Sequence, residues 1–464
     1  MKLTIQSMGE MIHKFFHEGV EKVAKETKFV QRVSKLTGIK FVQALVFHSL
    51  EKPMMTLSSL TQSCLDLGVS ISEQGLDERI NEQSVAFLQR LFAQAVQRWQ
   101  AREPLPVGLL EQFTSVYLVD SSQISLPASM AGLFPGAGGS ASPASLKIQL
   151  VFDYLHGHLA QVEFASGCEP DQGYRGHHAW FAPGVLLLMD LGYFVLDTFK
   201  AIHEQQAYFL SRFQAQTAIL TPAGERLALT ELLAAQTENL CAIDVLIGSR
   251  KQHQIPTRLI LIRLPQEVAD RQRHRAKANA RRRGYTSSPA HLQLLDWALF
   301  ITNVPPTLLR TEHVAALYRL RWQIELVFKL CKSLCALDHL AAQRSQRILT
   351  ELYARLIGVV LTYFLLAPLR LPTAHLPNRT VSPTQVRLTL QRFARLWLRA
   401  LHQPQPFLDL LLEFFRHVAH AGFMQKRRQD PNALHALALL SASYHVSTLE
   451  EPDFDWLATA LALS

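Results

Sequence analysis

Apolar positions in roughly the first hundred residues recur at three- and four-residue spacing. FVQALVFHSL, SLTQSCLDLGV and SVAFLQRLFAQAVQRWQ each gather Phe, Leu, Val and Ala on one helical side, with little of the alternation that marks strands. In VSISEQGLDERI, Ser70 followed three residues later by Glu73 is a capping-box pattern and predicts a helix start, although Gly75 just beyond it disfavours one. The pattern predicts a helical domain over 1–104. Such a module either inserts a helix into a DNA groove or only packs on its neighbour.

Around Glu103 to Val107, EPLPVG breaks the helical pattern and strands begin. SVYLVD (Ser115 to Asp120) is a short apolar run closed by a carboxylate. A small-residue loop, MAGLFPGAGGSASPAS, separates it from LKIQLVFDY and HLAQVEFASG, which the turn LHGH joins into an antiparallel hairpin. VLLLMD (Val185 to Asp190) is a second apolar strand ending in Asp, and YFLSRF (Tyr208 to Phe213) is another strand. Residues 214–305 interrupt the alternation. AIDVLIGS, TRLILIRLP and WALFITNVP read as strands of an inserted, largely β subdomain. Helical periodicity returns in YRLRWQIELVFKLCK (Tyr318 to Lys332) and continues to about 370, and Pro372, Pro377 and Pro383 mark a boundary before a helical region over 371–464. This order predicts a mixed α/β fold with helices packed on a central sheet over 105–370, flanked by helical N- and C-terminal regions.

Composition supports a folded chain. At 464 residues, 48% apolar and 18% charged, it is long enough for about two or three domains with a sizeable core, and is not a disordered protein. LIGVVLTYFLLAPL (Leu356 to Leu369) falls short of the ~20 residues a bilayer span needs and is expected to be a buried helix. MKLTIQSMGEMIHKFF lacks the sustained apolar run of a secretory signal, so no membrane association is expected. Five cysteines without a CxxC pair point to a reduced, cytoplasmic setting. The net charge of +9 favours an anionic partner. RQRHRAKANARRR (Arg271 to Arg283) concentrates seven Lys/Arg in thirteen residues without an acid. Its Arg273, Arg275, Lys277, Arg281, Arg282 and Arg283 are candidates for phosphate contact, the plainer reading being a solvated face.

On a regular helix Arg321, Glu325 and Lys332 fall within roughly 60° of Tyr318, which puts two cations, an acid and a phenol on one face. Ordinary i,i+4 salt pairing of Arg321 with Glu325 accounts for part of that pattern. Asp120 and Asp190 close apolar strands, where open α/β sheets place ligands, although a strand-terminal Asp is more often a turn residue. Three carboxylates without a zinc-type His/Cys cluster suit Mg²⁺ or Mn²⁺, the ions of two-metal phosphodiester chemistry. Asp153, also strand-terminal, belongs to the hairpin. His177 and His178 lie in a polar loop and read as surface histidines, Cys331 and Cys335 as buried small apolar residues, and Trp322 as core packing.

Asp120 in YLVDSSQ, Asp190 in LLLMDLGYF and the spacing of Tyr318, Arg321, Glu325 and Lys332 (YREK) together resemble the DDE transposases of the IS-four family of bacterial insertion sequences, from about Val116 to Lys332. The resemblance implies a ribonuclease-H-like core interrupted by a β-rich insertion before the glutamate helix. It implies Asp120, Asp190 and Glu325 as catalytic and metal-binding triad, with Tyr318, Arg321 and Lys332 gripping the DNA backbone. Trp297 in LLDWALFITNVP is similar to an insertion-domain tryptophan that stacks a flipped base, the competing reading being a core aromatic. Arg212 in FLSR is expected to face the cleft. The implied partners are double-stranded DNA, both terminal inverted repeats and target, and a second copy of the chain in a synaptic complex. The implied reaction is strand cleavage and transfer through hairpin ends, in a protein associated with the bacterial nucleoid. A repressor derived from a transposase and a nuclease of the same fold remain as alternatives.

Overall fold

The computed structural model describes residues 4–32, 34–52, 54–100, 104–105, 108–138, 142–249, 254–337, 339–340, 342–374 and 381–423. The expected composition break at Glu103 to Val107 lies largely outside them, as do Pro377 and the basic Lys426, Arg427 and Arg428.

Helices α1 (Ile5–Lys14), α2 (Val20–Glu26), α3 (Gly38–Glu51), α4 (Leu57–Asp66), α5 (Glu73–Glu78) and α6 (Glu82–Arg98) form the N-terminal region. Side-chain caps start several of them: Thr4, Thr56 and Asn81 each accept a hydrogen bond from the backbone N–H three residues on. The helix expected to begin at Ser70 begins two residues later. Ser72 caps α5 by accepting the Gly75 N–H at 3.1 Å. Glycine suits that third position, since a Cβ there would meet the Ser72 hydroxyl oxygen at 3.2 Å and an Ile71 carbon at 3.3 Å.

Strands β1 (Ser115–Leu126), β2 (Ala144–Asp153), β3 (His158–Ser166), β4 (Val185–Met189) and β5 (Tyr208–Arg212) make one half of a ten-stranded sheet in the order β3-β2-β1-β4-β5. β1 is antiparallel to β2 and parallel to β4, and β4 is parallel to β5. This is the mixed sheet expected of the core. Helix α7 (Leu196–Glu204) connects β4 to β5.

The insertion follows, with β6 (Ile219–Leu220), β7 (Arg226–Leu227), α8 (Leu229–Ala234), β8 (Leu240–Ile247), β9 (Ile255–Arg263), α9 (Gln266–Arg282), α10 (Pro289–Leu294) and β10 (Trp297–Thr302). Its strands do not form a separate sheet. β10 pairs antiparallel with β5, Phe300 opposite Arg212, and the order continues β5-β10-β9-β8-β6-β7. The pairing covers the edge that β5 would otherwise leave open. Within this segment, expected to be largely β, the basic stretch forms the 17-residue helix α9, closed by Arg281 and Arg282 in its last turn, where cations complement the helix dipole.

Alternation along β1 splits the core in two. Val116, Leu118 and Ile124 face one apolar cluster, and Tyr117 and Val119 face the other. On the first side lie α11 (Val314–Tyr318), α12 (Trp322–Lys329), α13 (Ser345–Ala374), α14 (Pro383–Ala400) and α15 (Pro404–Ala421). By length and composition α13 is apolar enough to cross a membrane, yet its apolar window is wholly buried against α6, α3 and β3. The same cluster runs through the N-terminal helices and the helices after 381. Arginines of α14 serve that contact. Buried Arg387 donates to the carbonyls of Leu50 at 2.8 Å and Ser49 at 3.2 Å at the end of α3, while Arg395 and Arg399 both pair with Asp66.

Candidate active site

Asp120 is not at the end of β1, as the sequence suggested. The strand runs on to Leu126 because β2 continues to pair with it, Asp120 standing opposite Leu150. What ends near Asp120 is β4, whose last pair with β1 is Met189 with Val119. Asp120 and Asp190 are therefore the first residues of their chains past the parallel pairing, side by side at the rim where that ladder opens.

α12 reaches this rim from the first side of the sheet, anchored by buried Ile324, Val327 and Phe328. Its approach is not one regular helix. Arg319–Arg321 forms a 3-10 turn between α11 and α12, and Leu330–Leu334 is a π-helical turn. Tyr318, Arg321 and Glu325 nevertheless converge on the rim. Arg321 donates from Nη1 to Asp120 Oδ2 and from Nη2 to Glu325 Oε1, both at 3.0 Å. The Ser121 N–H donates to Asp120 Oδ1 at 2.8 Å. The Tyr318 hydroxyl donates between two acceptors, the Met189 carbonyl oxygen at 3.3 Å and Asp190 Oδ1 at 3.4 Å. Lys332, expected on the same face, falls in the π turn, where the i→i+5 pattern breaks the regular helical angle. It is half-buried and has no hydrogen bond or ion pair among the described residues.

The electrostatics follow from burial and crowding. Burial pushes the Asp120 carboxyl up to about 6; the Ser121 N–H and Arg321 oppose this, and the charges of Asp190 and Glu325 add to it. Burial, with Asp190 next, lifts Tyr318 to about 12, against Arg321 and Arg212. Arg321 is held above its ordinary value: burial disfavours its charge, but Asp190, Tyr318, Asp120 and Glu325 outweigh it. Arg212, exposed at the end of β5, is thus near enough to act on Tyr318, whose ring also meets Phe300 edge-on at 5.1 Å.

The two tryptophans lie in opposite surroundings, Trp297 in the core, as one of its two readings had it, and Trp322 at the surface. Trp297 is only 7% exposed, packed in the second cluster with the Arg263 guanidinium 4.6 Å above its ring, so a base cannot reach its face without displacing that arginine. Trp322, expected in the core, is 58% exposed because the 3-10 turn ends there and directs it outward beside Arg321. His177 is likewise no surface residue: it is buried between Tyr174, Phe181 and Tyr193, and burial drives its pKa down to about 3. Asp153 is occupied elsewhere by Ser115 and His156. Cys331 and Cys335 are buried and free.

The basic residues divide. Arg275, Lys277, Arg281, Arg282 and Arg283 are exposed along α9 and its C-terminal end. Arg273 is tied back by Asp270 at 2.7 Å and by Asp296. Sequence reasoning missed a polar network behind the rim, in which Asp171 accepts from Ser121, Lys147 and Gln149. Asp171 lies in a loop without periodicity, so only the fold brings it there.

Among the described residues no three His, Cys, Asp or Glu side chains stand close enough, as they lie, to hold a metal ion. The donor set still fits a hard divalent cation. Two carboxylates converge on a single positive group, the Arg321 guanidinium, which supplies the charge an ion would bring, and Asp190 is beside them.

A family model described as the transposase DDE domain matches residues 111–361, more than half of the 464-residue chain. The chain belongs to this family. It is a DDE transposase, an enzyme that acts on DNA by cleavage and strand transfer. The chain is 29% identical to the transposase for insertion sequence element IS1151 of Clostridium perfringens over 365 residues, covering 74% of this chain and 76% of the relative. It is 25% identical to that for IS231F of Bacillus thuringiensis subsp. israelensis over 447 residues, covering 91% and 93%. Both are transposases of the IS-four family. A piggyBac transposase in a synaptic complex with hairpin DNA aligns over 98% of this DDE transposase and 84% of its own chain, at 8% identity and a TM-score of 0.40.

Proposed function

We propose that this DDE transposase binds the terminal inverted repeats of a bacterial insertion sequence, pairs two ends in a homodimeric synaptic complex, and cuts and joins them to target DNA in the cytoplasm, at the nucleoid. The observation that carries this reading is the convergence of Asp120 and Glu325 on Arg321, with Asp190 and Tyr318 adjoining, at one rim of the sheet. Asp120, Asp190 and Glu325 are the groups that would hold Mg²⁺ or Mn²⁺, which when bound supplies Lewis-acid activation of the attacking oxygen and charge neutralisation at phosphorus.

The chain's own residues do the rest. Arg321 has a planar fork suited to a phosphate oxygen pair once it releases the carboxylates, Arg212 adds a second cation at the cleft mouth, and Lys332 a point charge further along the helix. Tyr318 holds Asp190 by its hydroxyl and stays protonated at neutral pH. The exposed side chains of α9 (Arg275, Lys277, Arg281, Arg282, Arg283) extend the anion-binding surface, with Arg273 fixing the helix to the insertion. The exposed ring of Trp322, next to Arg321 in the chain, is the aromatic surface offered to a base; Trp297 serves a base only after Arg263 moves. A hairpin intermediate is part of the proposal. Residues 1–104 are assigned to end recognition, 105–370 to catalysis and 371–464 to dimer contacts.

The test is direct. Asp120→Asn and Glu325→Gln proteins should shift end DNA in a gel as wild type does but fail to nick it with Mg²⁺. Nicking at the wild-type rate by either variant refutes the assignment. Strand-transfer products from wild type distinguish a transposase from a nuclease.

A further inference from the structure

We infer that Asp171 is a positioning residue, the hub of a clamp on the far face of the sheet that sets the separation of Asp120 and Asp190. The inference rests on the proposed metal-binding role of those two carboxylates.

Successive side chains of a strand point to opposite faces. Asp120 turns toward α12, so Ser121 turns to the other side, the face of Tyr117 and Val119. There the Ser121 hydroxyl donates to Asp171 Oδ1 at 2.8 Å. The same oxygen accepts from Lys147 Nζ and Gln149 Nε2, each at 3.1 Å. Gln149 stands directly opposite Ser121 in the β1–β2 register. Its other end, Oε1, accepts the hydroxyl of Tyr193 at 2.5 Å. Tyr193 is buried in the 3-10 turn Leu191–Tyr193, whose N-cap is Asp190 itself.

A continuous chain of hydrogen bonds therefore runs from the residue after Asp120 to the turn opened by Asp190, by way of Asp171 and Gln149. Asp171 also packs on that turn directly: a Cβ on Gly192 would be in ordinary van der Waals contact with its Oδ2, at 3.4 Å. The Ser121 end of the clamp is the residue whose N–H holds Asp120 Oδ1. Asp171 sits on the opposite face from Glu325 and touches no reacting atom. It acts through Ser121 and Tyr193, as outer-shell partners of metal-binding carboxylates do.

The experiment is titration of Mn²⁺ into the full-length, metal-free protein by calorimetry, with end-DNA affinity measured in EDTA and the thermal midpoint recorded alongside. Asp171→Leu should weaken Mn²⁺ binding ~10–100-fold, the range for lost outer-shell partners, while end-DNA affinity stays unchanged. Asp171→Asn keeps an acceptor oxygen in place and should remain within about threefold of wild type, a difference under 1 kcal/mol. Tyr193→Phe, which cuts the clamp at its other end with no loss of bulk, should weaken Mn²⁺ binding in the same direction. Wild-type Mn²⁺ affinity in Asp171→Leu and Tyr193→Phe overturns the inference. So does an equal loss in Asp171→Asn and Asp171→Leu that tracks a lowered thermal midpoint. If Asp120→Asn leaves Mn²⁺ affinity unchanged, the metal-binding reading of the rim falls, and this inference with it.

Discussion

Arg321 and Asp120, 201 positions apart in the chain, are joined by a 3.0 Å charge-assisted hydrogen bond, and the same guanidinium holds Glu325. The transposase thus neutralises its paired acids with a cation of its own. A divalent ion that takes Asp120 and Glu325 must displace two such hydrogen bonds, each worth ~1.5–3 kcal/mol, and a DNA phosphate is the group that can receive the released fork. With the acids as the ion's ligands and the arginine on phosphate, as proposed, binding of DNA and of metal should be mutually reinforcing.

Replacing Arg321 by Gln separates the two effects. Without DNA, Arg321→Gln should bind Mn²⁺ at least about tenfold more tightly than wild type, since loss of even one of the two competing hydrogen bonds removes ~1.5 kcal/mol or more. Nicking of end DNA should still fall by about a hundredfold or more, because the phosphate loses its clamp. Calorimetry and a nicking assay check the two halves. Weaker Mn²⁺ binding in Arg321→Gln would mean that the arginine supports the ion site and does not compete for it.

Asp120 gives the apoprotein a pH signature. Its carboxyl is at about 6 in the folded protein against an ordinary 3.8. A raised carboxyl favours the folded state only while protonated, so its contribution is complete below 3.8, declines as pH rises through the interval to about 6, and is gone above it. Asp120→Asn removes the ionisation. In EDTA at pH 8 it should be more stable than wild type by up to about 3 kcal/mol, and at pH 4 the difference should almost vanish. Urea denaturation at the two pH values measures this. Added Mg²⁺ should stabilise wild type and leave Asp120→Asn unmoved.

The parts of this architecture that local pattern encodes were legible in the sequence. The hairpin β2–β3, the strands β4 and β5 and the buried character of Leu356 to Leu369 follow from alternation and apolar run length. The spacing set Arg321 and Glu325 on one helical face; that Asp120 meets the same guanidinium was expected only from the resemblance of the motifs. What pattern does not carry is pairing. β1 outruns its apolar segment because β2 supplies a partner through SSQISL, and the insertion joins the core sheet because β5 has a free edge. The place of Trp322 depends on a 3-10 turn that helical periodicity smooths over, that of Trp297 on the pairing of β10 with β9, which sets it opposite Arg263, and Asp171 has no periodic signature.

The two tryptophans, one buried and one exposed, separate stability from function. Trp297→Ala removes a ring buried beneath Arg263 and should cost ~3–5 kcal/mol of stability, typical of large aromatic truncations in a core. Trp322→Ala should change stability by less than ~0.5 kcal/mol, since its ring is mostly in solvent. If that ring stacks on a base at the cleaved end, the variant loses ~1–3 kcal/mol of end binding, about fivefold to 150-fold in cleavage of subsaturating DNA. Denaturation and end cleavage at matched folded concentrations test both. Cleavage at the wild-type rate by Trp322→Ala would leave that exposed ring without a part in DNA handling.

The arginines of α9 make the last case, because the structure divides them by partner. Ala269 and Ala280 bury one side of the helix, Arg273 is pinned by Asp270 and Asp296, and Arg281, Arg282 and Arg283 stand exposed at its end. Each cation on a phosphate contributes ~0.9 to the slope of log affinity against log salt. Changing Arg281, Arg282 and Arg283 together to Gln should therefore reduce that slope by between ~1 and 3 and weaken end and unrelated DNA alike. Arg273→Gln should leave the slope unchanged, its charge being already matched within the protein, and should instead loosen α9, read as faster amide exchange along the helix. A slope that falls on Arg273→Gln and holds in the triple variant would place the DNA on the opposite side of α9.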